Sequence, residues 1–322
     1  MSRLLQTAGV EQTRLPGQPL HLAVGMFDGL HRGHQSVIGA ARQAAAADGG
    51  LTGVLTFWPH PSALFRPESP TALLMTPAIK RSVLEGLGVD VLIEQEFTRE
   101  FASLEAEAFV PWLRGHLPGL VALYVGENWR YGRNRRGDAA SLSAQARAVG
   151  LQVIIVPRLK ELGEPVSSSR IRELLAAGEM EQANALLGYH YFSVGVVEQG
   201  RQLGRTIGFP TLNLAWEPDL KPRFGVYAVR VVGGGSPPLK AVANYGVRPT
   251  VGQGNRPLLE VHLLEPTTLT YGDQLTVDWL HFLRPETKFG DFEALRQQIE
   301  KDVVSARDFF SKKAVLESPK DA

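Results

Sequence analysis

The chain has 322 residues, with 34 Lys and Arg against 33 Asp and Glu, a formal net charge of +1 and no cysteine. At about 100–200 residues per domain the length favours two domains, and 44% hydrophobic with 21% charged residues excludes a chain that is disordered or coiled-coil throughout. Charge balances within each half (18 basic against 18 acidic in residues 1–187, 16 against 15 in 188–322), so the broad basic footprint of a nucleic-acid or anionic-membrane binder is missing; the lack of cysteine excludes a disulfide framework, thiolate metal sites and a cysteine nucleophile.

In chain order, MSRLLQTAGVEQTR has no long apolar stretch of the signal-peptide kind. No run approaches the ~20 apolar residues of a membrane helix, so a soluble, cytoplasmic protein is expected. Residues 20–25 read as a strand, 34–47 as an Ala-rich helix and 51–58 as a second strand. Residues 76–87 read as a helix with Thr76 as N-cap and Pro77 at its first position. A strand follows at 89–94, then a helix at 103–117 that Pro111 should kink or break. A strand at 120–126, a helix within 141–149 and a strand at 151–157 continue the alternation. Helices at 168–177 and 179–187 close this half. Strand–helix alternation with near-continuous apolar strands predicts a doubly wound parallel sheet over 1–187, with ligands at the carboxyl ends of its strands.

From residue 188 the pattern changes to short β-rich runs at 191–198, 225–232, 239–245, 258–264 and 274–283, punctuated by Gly233-Gly234-Gly235 and Pro237-Pro238. This predicts a small antiparallel barrel or sandwich over 188–322. A closing helix starts at Asp291 and puts Phe292, Leu295, Ile299, Val303, Ala306 and Phe310 on one face, and the residues after Ser311 read as a frayed tail.

Four segments of the first half carry chemistry, each following a predicted strand. GMFDGLHRGH, Gly25 to His34, lies where the first strand meets the first helix, the usual junction for anion binding by free N–H groups and the helix dipole. His31 and His34 share a helical face. A helix N-terminus disfavours cations, so the pair reads as donors to an anionic ligand; solvated helix-start residues, or metal ligands three apart, are the other readings. TFWPHP, Thr56 to Pro61, follows the second strand. VGENWRYGRNRRGD, Val125 to Asp138, gathers Arg130, Arg133, Arg135 and Arg136 with two aromatics. VSSSRIR, Val166 to Arg172, opens a helix with serines and arginines. Hydroxyls, free amides and guanidinium groups are the donors a polyphosphate needs.

In the second half GVVEQGRQLGRTIGFPTLN, residues 195–213, spaces Gly200, Gly204 and Gly208 along a segment with Arg201 and Arg205. It reads as a phosphate-covering flap or as a glycine-rich hairpin. Thr211 and Asn213, two apart and so on one side of an extended chain, offer hard oxygens of the kind Mg²⁺ takes. In LLEVHLLE, residues 258–265, alternation puts Leu259, Val261 and Leu263 on one face and Glu260 with His262 on the other. Glu260 reads as a general base, a solvent-facing strand charge or a rim salt bridge, and His262 as structural.

GMFDGLHRGH resembles the HxGH signature of the nucleotidylyltransferase superfamily, and VSSSRIR its ISSTxIR signature. With TFWPHP and VGENWRYG, and with GRTIGFPTLN, ANYGVRPT (243–250) and LRPETKF (283–289) in the second half, the chain resembles the bacterial bifunctional riboflavin kinase/FMN adenylyltransferase family over roughly residues 20–312. Trp129 and Tyr131 stand where that family often has Phe, Ser169 where Thr is usual, Leu212 where Ala is, and Glu265 where Asp is.

The resemblance implies a nucleotidylyltransferase fold followed by a riboflavin kinase barrel. It implies phosphorylation of riboflavin by ATP to FMN, then adenylylation of FMN by ATP to FAD and pyrophosphate. Riboflavin, FMN, FAD and ATP are the expected partners, with neither nucleic acid nor membrane. Carried over by matching motif, the catalytic residues are His31, His34 and Glu260. ATP and its phosphates fall to Gly25, Phe27, Gly33, Asn128, Ser168, Ser169 and Arg172 in the first half, and to Gly200, Gly204 and Gly208 in the second. Flavin falls to Pro59, His60, Arg284 and Phe289, and Mg²⁺ to Thr211 and Asn213. A nucleotidylyltransferase acting on another phosphate ester, or a non-catalytic flavin or nucleotide carrier, are the alternatives.

Overall fold

In the computed structural model of the protein, residues 4–200, 208–247 and 257–317 are described below. The chain forms two compact units that divide at Ser168/Ser169.

The first unit contains β1 (Leu5–Thr7), β2 (Leu20–Val24), α1 (Arg32–Asp48), β3 (Leu51–Trp58), α2 (Pro61–Phe65), α3 (Pro77–Gly86), β4 (Val91–Glu96), α4 (Arg99–Ala102), α5 (Ala106–His116) and β5 (Leu120–Gly126). Then come the short hairpin β6 (Arg130–Tyr131) and β7 (Gly137–Asp138), α6 (Ala139–Ala148), β8 (Gln152–Val156), and a second hairpin of β9 (Lys160–Glu161) and β10 (Glu164–Pro165). The main sheet runs β1-β4-β3-β2-β5-β8, with every pairing parallel. Strand β2 is buried along its whole length because helices cover both faces. It is also where the winding reverses: β3 lies on one side and β5 on the other. A crevice opens outside the carboxyl end of the strand at such a reversal, and GMFDGLHRGH begins there.

The second unit contains α7 (Ser168–Ala177), whose first residue belongs to the first unit, and α8 (Met180–Leu187). Strands β11 (Phe192–Glu198), β12 (Leu212–Ala215), β13 (Gly225–Gly233), β14 (Ser236–Val247), β15 (Pro257–Leu263) and β16 (Gln274–Pro285) follow, then α9 (Phe292–Glu317). The six strands close into an antiparallel barrel in the order β11-β12-β15-β14-β13-β16. Its core is aromatic: Trp279, Tyr227 and Tyr245 are fully buried and meet edge to face, and the Trp279 indole donates to Ser193 Oγ at 3.1 Å. The helices that the sequence reading joins to the first half pack here. Asn184 of α8 donates to the Trp279 carbonyl at 2.8 Å and accepts from the Tyr191 N–H at 2.7 Å.

Three expectations change. Pro111 does not break its helix: α5 runs through it, and the interruption lies earlier, between α4 and α5. Phe109, Val110 and Leu113 around the proline are buried, so burial on both sides of the missing N–H outweighs the lost hydrogen bond. The tail after Ser311 stays helical to Glu317. Strands β1 and β12, three and four residues long, were not expected; such short runs have no period to read. Among the described residues no helix is long and apolar enough to cross a membrane.

Candidate active sites

The first site is built on a turn. His31 is the N-cap of α1, and its Nδ1 accepts the His34 backbone N–H at 3.3 Å. That hydrogen bond leaves Nε2 to carry the proton of the neutral ring. The two imidazoles stack, centroids 3.6 Å apart, and Phe27 closes edge-on against His34 at 5.3 Å. His31 is buried, His34 half-buried, and His34 Nδ1 has no hydrogen-bond partner among the described residues. Burial first, then the His31 and Lys80 charges, hold His34 well below the ordinary histidine range. His34 is therefore suited to donate a hydrogen bond without itself adding a cation at a helix N-terminus. The turn itself is strained: Phe27 and Leu30 take left-handed φ values of 48° and 37°, a cost that marks functional turns.

The other first-half motifs attach to this turn or lie beyond it. Ser168 Oγ, at the start of α7, donates to the Asp28 carbonyl at 2.8 Å, so the last residue of the first unit is tied to GMFDG. Ser169 is exposed and Arg172 partly exposed on the same helix. The Phe27 ring is a packing element, 2% exposed, so any anion contact at that residue falls to its backbone. Gly25 lies against the Phe27 ring, and Gly33 sits in the first turn of α1 beside His31. His60 caps α2, accepting the Ser62 N–H at 3.1 Å, after the cis Trp58–Pro59 bond. Asn128, with its amide oriented oxygen-first, accepts from the Arg158 guanidinium at 3.0 Å. Of the arginines in that loop, Arg130 pairs with Asp138 and Arg133 with Glu105, while Trp129 and Tyr131 stack at 4.7 Å and pack on Phe109. The swapped aromatics thus anchor the loop.

Sequence reasoning missed Lys80. It is 8% exposed, and its ammonium donates to the Met26 carbonyl at 2.9 Å and to Thr56 Oγ1 at 3.3 Å. The available signal was its spacing of four from Leu84, on the buried face of α3.

The second site is built on the barrel wall. Glu260 of β15 is directly opposite Asn213 of β12 on one side and Asn244 of β14 on the other. Cross-strand partners share a face, so one row carries an amide, a carboxylate and an amide. Their neighbours Leu259 and Val261 are fully buried on the opposite, core-facing side, as the alternation predicts. Asn213 is 7% exposed, yet its Oδ1 has no partner among the described residues. Gly200 covers it so closely that a Cβ there would stand 2.2 Å from Asn213 Nδ2. Thr211 lies two residues before, just ahead of β12. A buried, unpartnered amide oxygen beside a hydroxyl and a carboxylate is a donor set that fits Mg²⁺. His262 is structural, its Nδ1 2.9 Å from the Pro210 carbonyl and its ring edge-on to Phe209.

At the barrel's end Glu286, also missed, reaches toward the same row: its carboxylate occupies the space a Cβ on Gly246 would need, 1.7 Å away. Partial loss of water raises its pKa, the Val247 N–H opposes that, and the Glu260 charge adds to the rise. Arg284 forks onto Asp302 of α9, both bonds 2.7 Å, and lies 5.7 Å over the Phe289 ring. Gly208 has open space about it. Gly204, Arg201, Arg205 and residues 248–250 of ANYGVRPT lie outside the described residues.

Comparison with known proteins assigns the two halves separately. The FAD synthetase family model matches residues 16–170 and the riboflavin kinase family model residues 187–310. The chain is 38% identical to the bifunctional riboflavin kinase/FMN adenylyltransferase of Listeria monocytogenes over 298 residues, covering 90% of this chain and 92% of that protein. It is 36% identical to the protein of the same name from Escherichia coli K12, covering 92% and 95%. Among solved structures it resembles a crystal structure described as a macrolide-efflux protein from Streptococcus pneumoniae, with TM-score 0.85 and 28% identity over 95% of this chain and 99% of that one.

Proposed function

The chain belongs to the bifunctional riboflavin kinase/FMN adenylyltransferase family, and from that premise we propose how its residues divide the work. The enzyme phosphorylates riboflavin with ATP to FMN and adenylylates FMN with a second ATP to FAD and pyrophosphate. The observation that carries the division is the row Asn213–Glu260–Asn244, a carboxylate set between amides on the barrel wall.

In the kinase step Glu260 removes the proton of riboflavin's primary hydroxyl as that oxygen attacks the γ-phosphorus. Asn213 and Thr211 would hold the Mg²⁺ that accompanies ATP, and the ion would neutralise charge on the phosphate oxygens. Gly200, with Gly204 and Gly208 further along the same segment, lets backbone approach the phosphates. Arg284 and Phe289 flank the flavin, Arg284 held in place by Asp302. The kinase module is residues 188–322, the adenylyltransferase module 1–187, and the work is cytoplasmic.

In the adenylyl-transfer step the FMN phosphate is already an anionic nucleophile and needs no base. His31 and His34 donate to the phosphate whose charge rises in the in-line displacement, and Asn128, Ser168, Ser169 and Arg172 hold the remaining oxygens. Gly25, Gly33 and the Phe27 N–H line the turn, and Pro59 and His60 border the flavin.

Incubation of the purified protein with riboflavin, ATP and Mg²⁺, with flavins separated by chromatography over time, tests the reading. FMN should appear first and FAD later. A folded protein that forms neither overturns it.

A further inference from the structure

Lys80 is the one buried lysine among the described residues, and neither transfer step described above uses it. Burial of an ammonium is costly unless the group is fully engaged. Burial lowers its pKa, and the Asp28 and Glu94 carboxylates counter that. Its two hydrogen bonds converge on one place: the Met26 carbonyl takes Lys80 Nζ at 2.9 Å and Thr56 Oγ1 at 3.0 Å, and Lys80 and Thr56 are themselves 3.3 Å apart.

That carbonyl belongs to the peptide joining Met26 to Phe27, the residue whose φ of 48° is strained. A trans peptide plane points its C=O and N–H in opposite directions. A carbonyl held toward Lys80 and β3 therefore turns the Phe27 N–H away from them. That N–H has no hydrogen-bond partner among the described residues, although Phe27 is 2% exposed and its ring packs on His34. An unpaired backbone donor in the turn that leads into the stacked imidazoles is what an anionic ligand would complete.

We propose that Lys80 is a positioning residue for adenylyl transfer: by holding the Met26 carbonyl it orients the Met26–Phe27 peptide so that the Phe27 N–H is presented to the ATP phosphates beside His34. The inference rests on adenylyl transfer taking place at His31 and His34.

Two substitutions in the full chain test it, with FMN and with riboflavin as separate substrates. Lys80→Met keeps the stem and loses the donor. It should slow FAD formation from FMN by roughly tenfold or more, mainly in kcat, because a peptide turned by even part of its range misplaces the donor. FMN formation from riboflavin should stay within about twofold, since the barrel carries its own site. Lys80→Gln, shorter and uncharged but able to donate to the same carbonyl, should recover a large part of the loss. Equal loss in both variants, or no loss in Lys80→Met, overturns the proposal.

Hydrogen exchange in the unmodified protein gives an independent reading should Lys80→Met fail to fold. The Phe27 amide should exchange freely in the apo enzyme and slow when a non-hydrolysable ATP analogue is added; an unchanged rate counts against the proposal. His34→Ala separates the two layers. Full FAD formation in that variant removes the site reading itself. Its inactivity beside a normal Lys80→Met removes only the role of Lys80.

Discussion

The parallel sheet sets its histidine pair on a strained turn; the barrel sets its row of polar groups on the flat of a wall. Past the end of β2 the imidazoles follow a turn with two left-handed residues, whose Met26 carbonyl accepts from a buried lysine. Along β12, β15 and β14 the polar groups are side chains put side by side by strand register alone. Adenylyl transfer needs no base, so positioned donors at a helix start suffice. Phosphorylating a hydroxyl needs a carboxylate aimed at one proton, and a ladder is the stiffer mount for it.

The comparison breaks most visibly in substitutions that silence one unit and spare the other. Glu260→Gln should cost roughly 10²–10⁴-fold in FMN formation, the span of general-base catalysis, while added FMN is still converted to FAD. An assay with each flavin supplied in turn reads both rates, and intact phosphorylation takes Glu260 out of its role. His31→Ala should act in the opposite sense, lowering FAD formation roughly 10²–10³-fold, as loss of a preorganised donor does. FMN should accumulate in the same reaction. Loss of both activities there would mean a folding defect.

The next effect is on stability and sharpens where the barrel unit begins. Asn184→Ala removes the bridge from α8 to Trp279 and Tyr191 and leaves two backbone groups unpaired. About 2 kcal/mol of unfolding free energy should be lost, read by denaturant titration of tryptophan fluorescence. An unchanged midpoint would show that α8 adds little to the barrel.

The smallest effect is a difference of sign with pH. His34 has a depressed pKa, so the unfolded chain takes up a proton near 6.5, the ordinary histidine value, before the folded first unit does. The first unit should lose stability as pH falls below about 6.5. His281 of β16 is raised by its hydrogen bond to Glu181 of α8, partly offset by burial. Its contribution is present below the ordinary value and lost as pH rises through the raised one. Melting curves across this range should show the two units shifting in opposite directions, and Glu181→Gln should flatten only the second.

Strand alternation located β2, β3, β5 and all barrel strands except β12, and Thr76 caps α3 as its sequence suggests, accepting the Ile79 N–H at 3.3 Å. Local chemistry decides such features: a capping hydroxyl, a period of two, a run of apolar residues. His31, His34, Asn213 and Glu260 could be named because their motifs are contiguous. Asn244, Glu286 and Lys80 could not be assigned roles, since each matters only through a neighbour far along the chain. Thr56 is 24 residues from Lys80, and Gly246 is 40 residues before Glu286 by residue number.

By itself the sequence determined two units of different class, the chemistry each carries, and the face of β15 on which Glu260 stands, because periodicity and motif are properties of neighbouring residues. Only the tertiary structure decided that α5 passes through Pro111, that α7 and α8 pack in the barrel unit, that Asn213, Glu260 and Asn244 form one row, and that a buried lysine holds the turn carrying the histidines. Those facts depend on strand register and on burial between distant segments, and the free energy of both is set by contacts that no local stretch of sequence contains.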